Sequence, residues 1–396
     1  MQTLTSDLLG KNLFSFTRLT DSGSNFTSFG DSAINDRGLV AFSAAKASSS
    51  SLSGIYTSNG KQTTTVIEQS GLPDLFRSNV GAVGGVPSNA TSINYSFGND
   101  VEINNQGDVL FEAKANYLQG GGNFTIDGLF LKQGTSITSV GGIQDFTQAG
   151  IQQTATFTGF DLNDRDQVVY GVDTSVKVQG RQFENTQIIF QGNTIASGAS
   201  SPGFGAPSSR VFDPEITNNG SVYYASSGQR LVNGNTVDVS NIYRLAPGAT
   251  TPVALSPQPL SVTNFEVNNS GTVVASDGSG VFQLTSSGTK KISDSATNPF
   301  INDFGIVAYQ PASGGVSVTV PILNNLTRSI ISPGDVLFGS TVSSVQLDGI
   351  NRAGQIAFVA TFSDGTSGLF RADPHLRLNL NQNLTYTGAD LVAALA

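Results

Sequence analysis

Apolar and polar positions alternate along most of this chain, and the alternation restarts each time from one recurring phrase. Its first copy, Ile34-Asn35-Asp36-Arg37-Gly38, leads into Leu39-Val40-Ala41-Phe42-Ser43-Ala44, whose period of two marks a half-buried strand. The phrase returns at Ile103-Asn104, Leu162-Asn163, Ile216-Thr217, Val267-Asn268, Ile301-Asn302 and Ile350-Asn351. That makes seven copies. The Gly of the turn stands at 38, 107, 220, 271, 305 and 354, with Asp166 in its place in the third copy, and successive spacings run from 34 to 69 residues.

Each repeat holds four strand signals. In the first these are Thr27 to Ile34, Leu39 to Ala44, Gly54 to Tyr56 and Thr63 to Ile67. Repeats of this length with four strands each predict an all-β fold, a seven-bladed β-propeller of four-stranded blades. The last repeat offers three strands, Ser344 to Ile350, Gln355 to Phe362 and Gly368 to Arg371, while the chain opens with a spare one at Leu13 to Leu19. The N-terminal strand is therefore expected to join the last blade and close the ring. This places one propeller domain at residues 1–374 and a C-terminal tail at 375–396, a short helix or a truncated linker.

In that architecture the strand entering each Asn turn lies innermost. The turns after it are short, while Lys114 to Ile126, Ser175 to Thr186, Gly71 to Asn94 and Ser197 to Arg210 read as long loops sharing the opposite face. Loops on a rigid scaffold commonly carry function. That face is the candidate binding surface, with Phe76, Arg77, Tyr117, Phe124, Phe183 and Phe204 as its candidate contacts. Aromatic rings beside polar groups suit sugars and proteins, and equally well staple a loop to its scaffold.

Composition narrows the chemistry. Charged residues make up 12% of the chain, and 20 basic against 29 acidic residues give a net charge of −9. Nucleic-acid binding needs a clustered basic footprint, which is missing. With no Cys, thiolate catalysis, disulfides and cysteine-held zinc are excluded. No apolar run is long enough to span a membrane. Residues Met1 to Phe16 lack the apolar core of a signal peptide.

The Asn-x-x-Gly turns themselves read as structural: Asn bonds its own backbone, and Gly supplies positive φ. Two residues before each Asn stand Ala33, Glu102, Asp161, Glu215, Glu266, Phe300 and Gly349. Two further back stand Asp31, Asp100, Gly159, Asp213, Asn264, Asn298 and Leu347. On innermost strands Glu102, Asp161, Glu215 and Glu266, with Asp31, Asp100 and Asp213, would form acidic rings around the axis. Mutual repulsion there favours a bound cation such as Ca²⁺ or raised pKa values; the plainer reading is solvated polar groups paired with neighbouring hydroxyls. No catalytic residue can be assigned. The single His, His375, stands past the last strand, which leaves a serine triad without support.

The unit Ile350-Asn351-Arg352-Ala353-Gly354-Gln355-Ile356-Ala357-Phe358, followed by Gly368-Leu369-Phe370 and preceded by Ser332-Pro333-Gly334-Asp335, resembles a repeat of bacterial secreted tandem-repeat proteins of unknown function. The resemblance covers Phe14 to Asp373 and implies an extracellular or cell-surface location, without supplying an activity. The expectation is a binding or adhesion scaffold for an extracellular glycan or protein. The alternatives are a polysaccharide hydrolase or lyase using the channel carboxylates, or a structural surface component.

Overall fold

The computed structural model describes residues 14–21, 26–46, 51–179, 181–198, 210–232, 235–256, 260–285, 288–320 and 326–374. Strand β1 (Phe14–Asp21) precedes a four-stranded sheet of β2 (Phe26–Ile34), β3 (Val40–Lys46), β4 (Gly54–Ser58) and β5 (Thr63–Glu68). After a one-turn helix α1 (Leu72–Leu75) come β6 (Thr91–Ile103), β7 (Val109–Gln119), β8 (Gly122–Gln133) and β9 (Ser136–Gln148). These continue directly into β10 (Ile151–Leu162), β11 (Val168–Val178), β12 (Arg181–Phe190) and β13 (Asn193–Ser197).

Three further four-stranded sheets follow. They are β14 (Arg210–Ile216), β15 (Val222–Val232), β16 (Asn235–Leu245) and β17 (Val253–Ala254); β18 (Asn264–Val267), β19 (Val273–Asp277), β20 (Gly280–Thr285) and β21 (Gly288–Asp294); and β22 (Ala296–Ile301), β23 (Val307–Pro311), β24 (Val316–Val320) and β25 (Leu326–Ile331). The last sheet holds β26 (Val336–Leu337), β27 (Ser340–Ile350), β28 (Ile356–Phe362) and β29 (Ser367–Pro374), with β1 added beyond β29.

The protein is thus an all-β propeller, but the expected seven separate four-stranded blades are not what its sheets form. Five sheets, four of four strands and one of five, have the size of a single blade; the sixth runs through eight strands, β6 to β13. The cause is the two-residue turn at Ala149-Gly150. Both residues have positive φ, 51° and 81°, the geometry that suits a tight hairpin, so β9 turns straight into β10. The pairs Gln148↔Ile151, Thr147↔Gln152 and Phe146↔Gln153 then fuse what was read as two blades. The last sheet gains its fifth strand because β26 hairpins onto the start of β27.

Closure follows the expected route. Strand β1 pairs antiparallel with β29 from Phe14↔Pro374 to Asp21↔Gly368. Asp373 clasps the join: Thr17 Oγ1 donates to it at 2.6 Å, Gln355 Nε2 at 2.5 Å and Arg371 Nε at 2.7 Å, while Arg371 Nη1 donates to the Gly38 carbonyl at 2.5 Å. Asp373→Ala is expected to raise amide exchange in β1 roughly tenfold, through local opening of that strand. Unchanged β1 protection would show that the clasp contributes nothing to closure.

The core lies between sheets. Phe42, Phe111, Phe130, Phe265, Phe358 and Phe370 are fully buried, and most come from the second and third strands of a repeat. They are the apolar members of the alternation, turned towards the neighbouring sheet.

Candidate functional site

Inside each Asn turn the Asn side chain caps its own hairpin. Asn35 Oδ1 accepts from the backbone N–H of Arg37 at 3.0 Å and of Leu39 at 3.1 Å, and Asn104, Asn163, Asn268 and Asn302 repeat the pattern. Gly38 adopts φ 73°, and Asp166 adopts φ 58° in the corresponding place. Asp166 also accepts a hydrogen bond from Asn104 Nδ2 at 2.8 Å, which offsets its strained backbone.

The same Asn side chains reach across to the next turn. Nδ2 of Asn35, Asn104, Asn163, Asn268, Asn302 and Asn351 donates to the carbonyl of residue 104, 163, 217, 302, 351 and 35 respectively. Thr217 has no amide, so the link from it to Asn268 is missing. A second ring spans that gap, because Asn218 N donates to Asn269 Oδ1 at 2.7 Å. The residue after each Asn builds this outer ring: Asp36, Asn105, Asp164 and Asn269 likewise donate backbone N–H to the next side chain, and Arg352 N closes onto Asp36 Oδ1 at 2.8 Å. Each ring has one gap, the inner between Thr217 and Asn268 and the outer between Asp303 and Arg352. Because the gaps fall at different junctions, every turn is bonded to both of its neighbours.

The rings surround an axial cavity of about 200 Å³ lined by all seven turns and by Asp161, Glu215 and Glu266. The innermost strands thus bring predicted acids together. Burial raises Glu102, Glu215 and Glu266 well above the usual carboxylate range, and neighbouring carboxylates add to the shift: Asp161 and Glu266 for Glu102, Glu266 and Asp161 for Glu215, Asp161 and Asp213 for Glu266. Asp161 is raised by burial against the backbone N–H groups of Ile216 and Leu162, which donate to it at 2.7 and 2.6 Å.

Nearer the opposite mouth, burial pushes Asp213 up to about 7. Asp100 is also pushed up to about 7, by burial and then by its hydrogen bond to Asp31 and that residue's charge. Gln346 Nε2 donates to Asp31 Oδ1 at 2.7 Å. The acids are neighbours electrostatically, yet among the described residues no three carboxylate or histidine side chains converge on a metal-binding arrangement.

One further buried acid, beside Asp31, escaped the two-residue spacing. Asp348 is buried, accepts from Ser32 Oγ at 2.6 Å and is raised well above the carboxylate range, by burial first. The pairing of β27 with β28 shifts register between Leu347 and Gly349, and such bulges recur in β2, β6, β10, β14 and β22. A bulge inserts one residue and re-aims the next side chain, so strict alternation pointed at Leu347 instead. The sequence clue was Asp beside Gly at 348 and 349.

The segments read as long loops at Lys114 to Ile126 and Ser175 to Thr186 are hairpins: β7–β8 and β11–β12 simply continue past the body of the sheet. Across them Tyr117, Phe124, Phe146, Gln153, Val176 and Phe183 stand directly opposite one another on six successive strands. Tyr117 stacks on Phe124 at 5.4 Å and Phe124 on Phe146 at 6.2 Å. Exposure rises along the row from 4% at Tyr117 to 61% at Phe183.

Of the other predicted contacts, Phe76 is fully buried against Phe130 and Tyr95 and offers a ligand no ring face. It staples the α1 segment to the body. Arg77 is exposed and pairs with Asp74 at 3.0 Å. Phe204, His375 and the tail 375–396 lie outside the described residues.

No protein-family model matches the chain, and no curated protein matches it. The finer likeness to secreted tandem-repeat proteins therefore has no family match behind it. Similar solved structures include the β-propeller domain of the Trilobed protease from Pyrococcus furiosus, at 10% identity over 90% of this chain and 98% of that one, with TM-score 0.48. The acylaminoacyl peptidase of Pyrococcus horikoshii matches at 12% identity over 85% of this chain and 49% of that one, TM-score 0.48. The Dos1 propeller matches at 9% identity over 91% and 96%, TM-score 0.45. These likenesses carry no functional argument, and the propeller assignment stands on strand order and ring closure.

Proposed function

We propose that the protein is a binding scaffold of the cell exterior that engages a glycan or a protein with its extended-hairpin side. The observation that carries this is where apolar surface is left uncovered. Seven large hydrophobic side chains are exposed among the described residues, and four of them, Ile93, Leu118, Ile151 and Phe183, lie on the β6–β12 projection. Exposed apolar groups concentrated on one projecting element mark an interaction surface. The partner's hydrogen bonds would come from the Gln and Thr residues between them, such as Gln153, Thr147 and Gln182.

The test is a glycan-array and immobilised-polysaccharide screen, repeated with Phe183→Ala and Ile151→Ala. A ligand of this surface is expected to lose roughly tenfold or more in affinity with Phe183→Ala. A ligand that binds both variants as well as the parent protein would move the site elsewhere.

Asp100 and Asp213 favour a second reading, since acids with pKa about 7 are suited to proton transfer. On that reading the channel mouth acts on a polysaccharide, and Asp100→Asn removes a hydrolase or lyase activity measured by reducing-end release or unsaturated-product absorbance. A Ca²⁺ ion in the axial cavity is the companion proposal for the inner acids.

A further inference from the structure

At the root of the β7–β8 hairpin a lysine and two acids meet outside the axial channel. Lys114 and Asp127 are direct cross-strand partners, and Glu112 lies two residues before Lys114 on the same face. Lys114 Nζ is 2.8 Å from Asp127 Oδ2 and 2.7 Å from Glu112 Oε1. Asp127 is 4% exposed, and its second oxygen, Oδ1, has no hydrogen-bond partner. Gly98 makes room for the cluster: a Cβ there would come within 2.4 Å of Glu112 Oε2.

A buried ion triad is a weak source of stability, because desolvation cancels much of its attraction. This arrangement has chemical consequences instead. We propose that Lys114 and Asp127 condense into an intramolecular isopeptide bond, with Glu112 as the acid–base group. The amine is held against the carboxyl group it would attack, so the entropy of bringing the two together is already spent.

Burial pushes Asp127 up to about 8, with the charge of Glu112 next, so near neutral pH it is largely the carboxylic acid, a better electrophile than a carboxylate. Burial works against the Lys114 ammonium, but the carboxylate charges and hydrogen bonds of Asp127 and Glu112 outweigh it and hold its pKa up; once Asp127 takes its proton, Glu112 alone remains as the counter-charge. The amine must therefore be freed by direct transfer to Glu112. Asp145 and Asp100 are the other acids that feel this cluster, through Lys114 and Glu112 respectively.

The step balances without any oxidant or cofactor. Glu112 takes a proton from the ammonium, and the freed Nζ forms a bond to Cγ of Asp127. Glu112 hands that proton to the hydroxyl, which leaves as water when its C–O bond breaks. The nitrogen's second proton passes to Glu112 as the amide forms. The product is a neutral amide, one water and a protonated Glu112. The bond would staple the projecting hairpin at its base.

Mass spectrometry of the unmodified full chain decides the matter. The intact protein is expected to be lighter than its sequence mass by one water. Trypsin cuts after Arg77, Lys114 and Lys132, but an acylated Lys114 resists it, so residues 78–132 are expected as one peptide lighter by one water. Glu112→Gln and Asp127→Ala are expected to show full mass and to release 78–114 and 115–132 separately. A parent protein of full mass that yields free 78–114 would overturn the proposal. So would a water loss that persists in Lys114→Arg, since it would belong to another site.

Discussion

Raising the pH from about 5 to about 8 is expected to lower the melting temperature by on the order of 5–10 °C. Glu102, Glu215 and Glu266 are raised well above the usual carboxylate range, and Asp100 and Asp213 reach about 7. A carboxyl group whose pKa is higher folded than unfolded holds its proton more tightly in the native state. Its contribution is therefore fully present below the unfolded value, near 4, and is lost as the pH rises through the folded value. For Asp213, half-buried and displaced from 3.8 to about 7, the loss is at most about 4 kcal/mol, and less where solvent reaches the channel. The net charge of −9 pushes in the same direction, so the pH trend alone does not locate the cause.

Substitution locates it. Glu102→Gln, Glu215→Gln and Glu266→Gln together keep shape and polarity while removing ionisation. They are expected to raise the melting temperature at pH about 8 and to leave it nearly unchanged at pH about 5. A triple variant less stable than the parent at both values would mean that the acids are held by contacts that matter more than their repulsion. Adding millimolar Ca²⁺ at the higher pH tests the cation proposal on the same samples. A rise in melting temperature that the triple variant lacks would place the ion among these acids, and no rise would leave protons as their sole counter-charge.

The turns and strands of this fold were legible in the sequence because each obeys a local rule. Asn35 with Gly38 fixes a hairpin by its own backbone chemistry, and Val40, Phe42 and Ala44 share one buried face by alternation. Ala41 and Ser43 on the other face are buried too, between neighbouring sheets, so the strand is not half-buried. The inner-strand acids Glu102, Asp161, Glu215 and Glu266 followed from the same rule, being an even number of residues from a fixed turn. What alternation could not show were departures from it. The bulge before Gly349 set Asp348 against Ser32 of the first repeat, and the tight turn at Ala149-Gly150 joined two groups of strands into one sheet. The Lys114–Asp127–Glu112 cluster escaped because it depends on cross-strand register at the two ends of the segment Lys114 to Ile126, which reads as a loop. The ring between turns was legible only in part. Asp or Asn follows the turn residue in six of the seven copies, which is the acceptor the outer ring requires.

That ring supports the second large effect. Asn351→Ala is expected to cost about 2–4 kcal/mol, because it leaves buried partners on both sides unsatisfied. Asn351 is 4% exposed; its Nδ2 donates to the Asn35 carbonyl at 2.8 Å, and its Oδ1 accepts from Gln355 N at 2.9 Å. It also spans the junction where the last repeat meets the first, so the loss falls on ring closure. Asn351→Asp separates the two roles. It keeps the cap on Gln355 but faces the Asn35 carbonyl with an oxygen, so chemical denaturation should find it nearly as damaging as alanine. If Asn351→Asp kept the parent's stability, the link between turns would be worth nothing and only the cap would matter. The reverse experiment uses the gap the protein already has. Thr217→Asn would restore an amide facing the Asn268 turn and is expected to stabilise by about 0.5–1.5 kcal/mol, the net worth of one hydrogen bond. A destabilised Thr217→Asn would show instead that Asn219, whose Oδ1 accepts from Thr217 Oγ1 at 2.9 Å and from Ser221 N at 2.8 Å, already supplies the cap this turn needs.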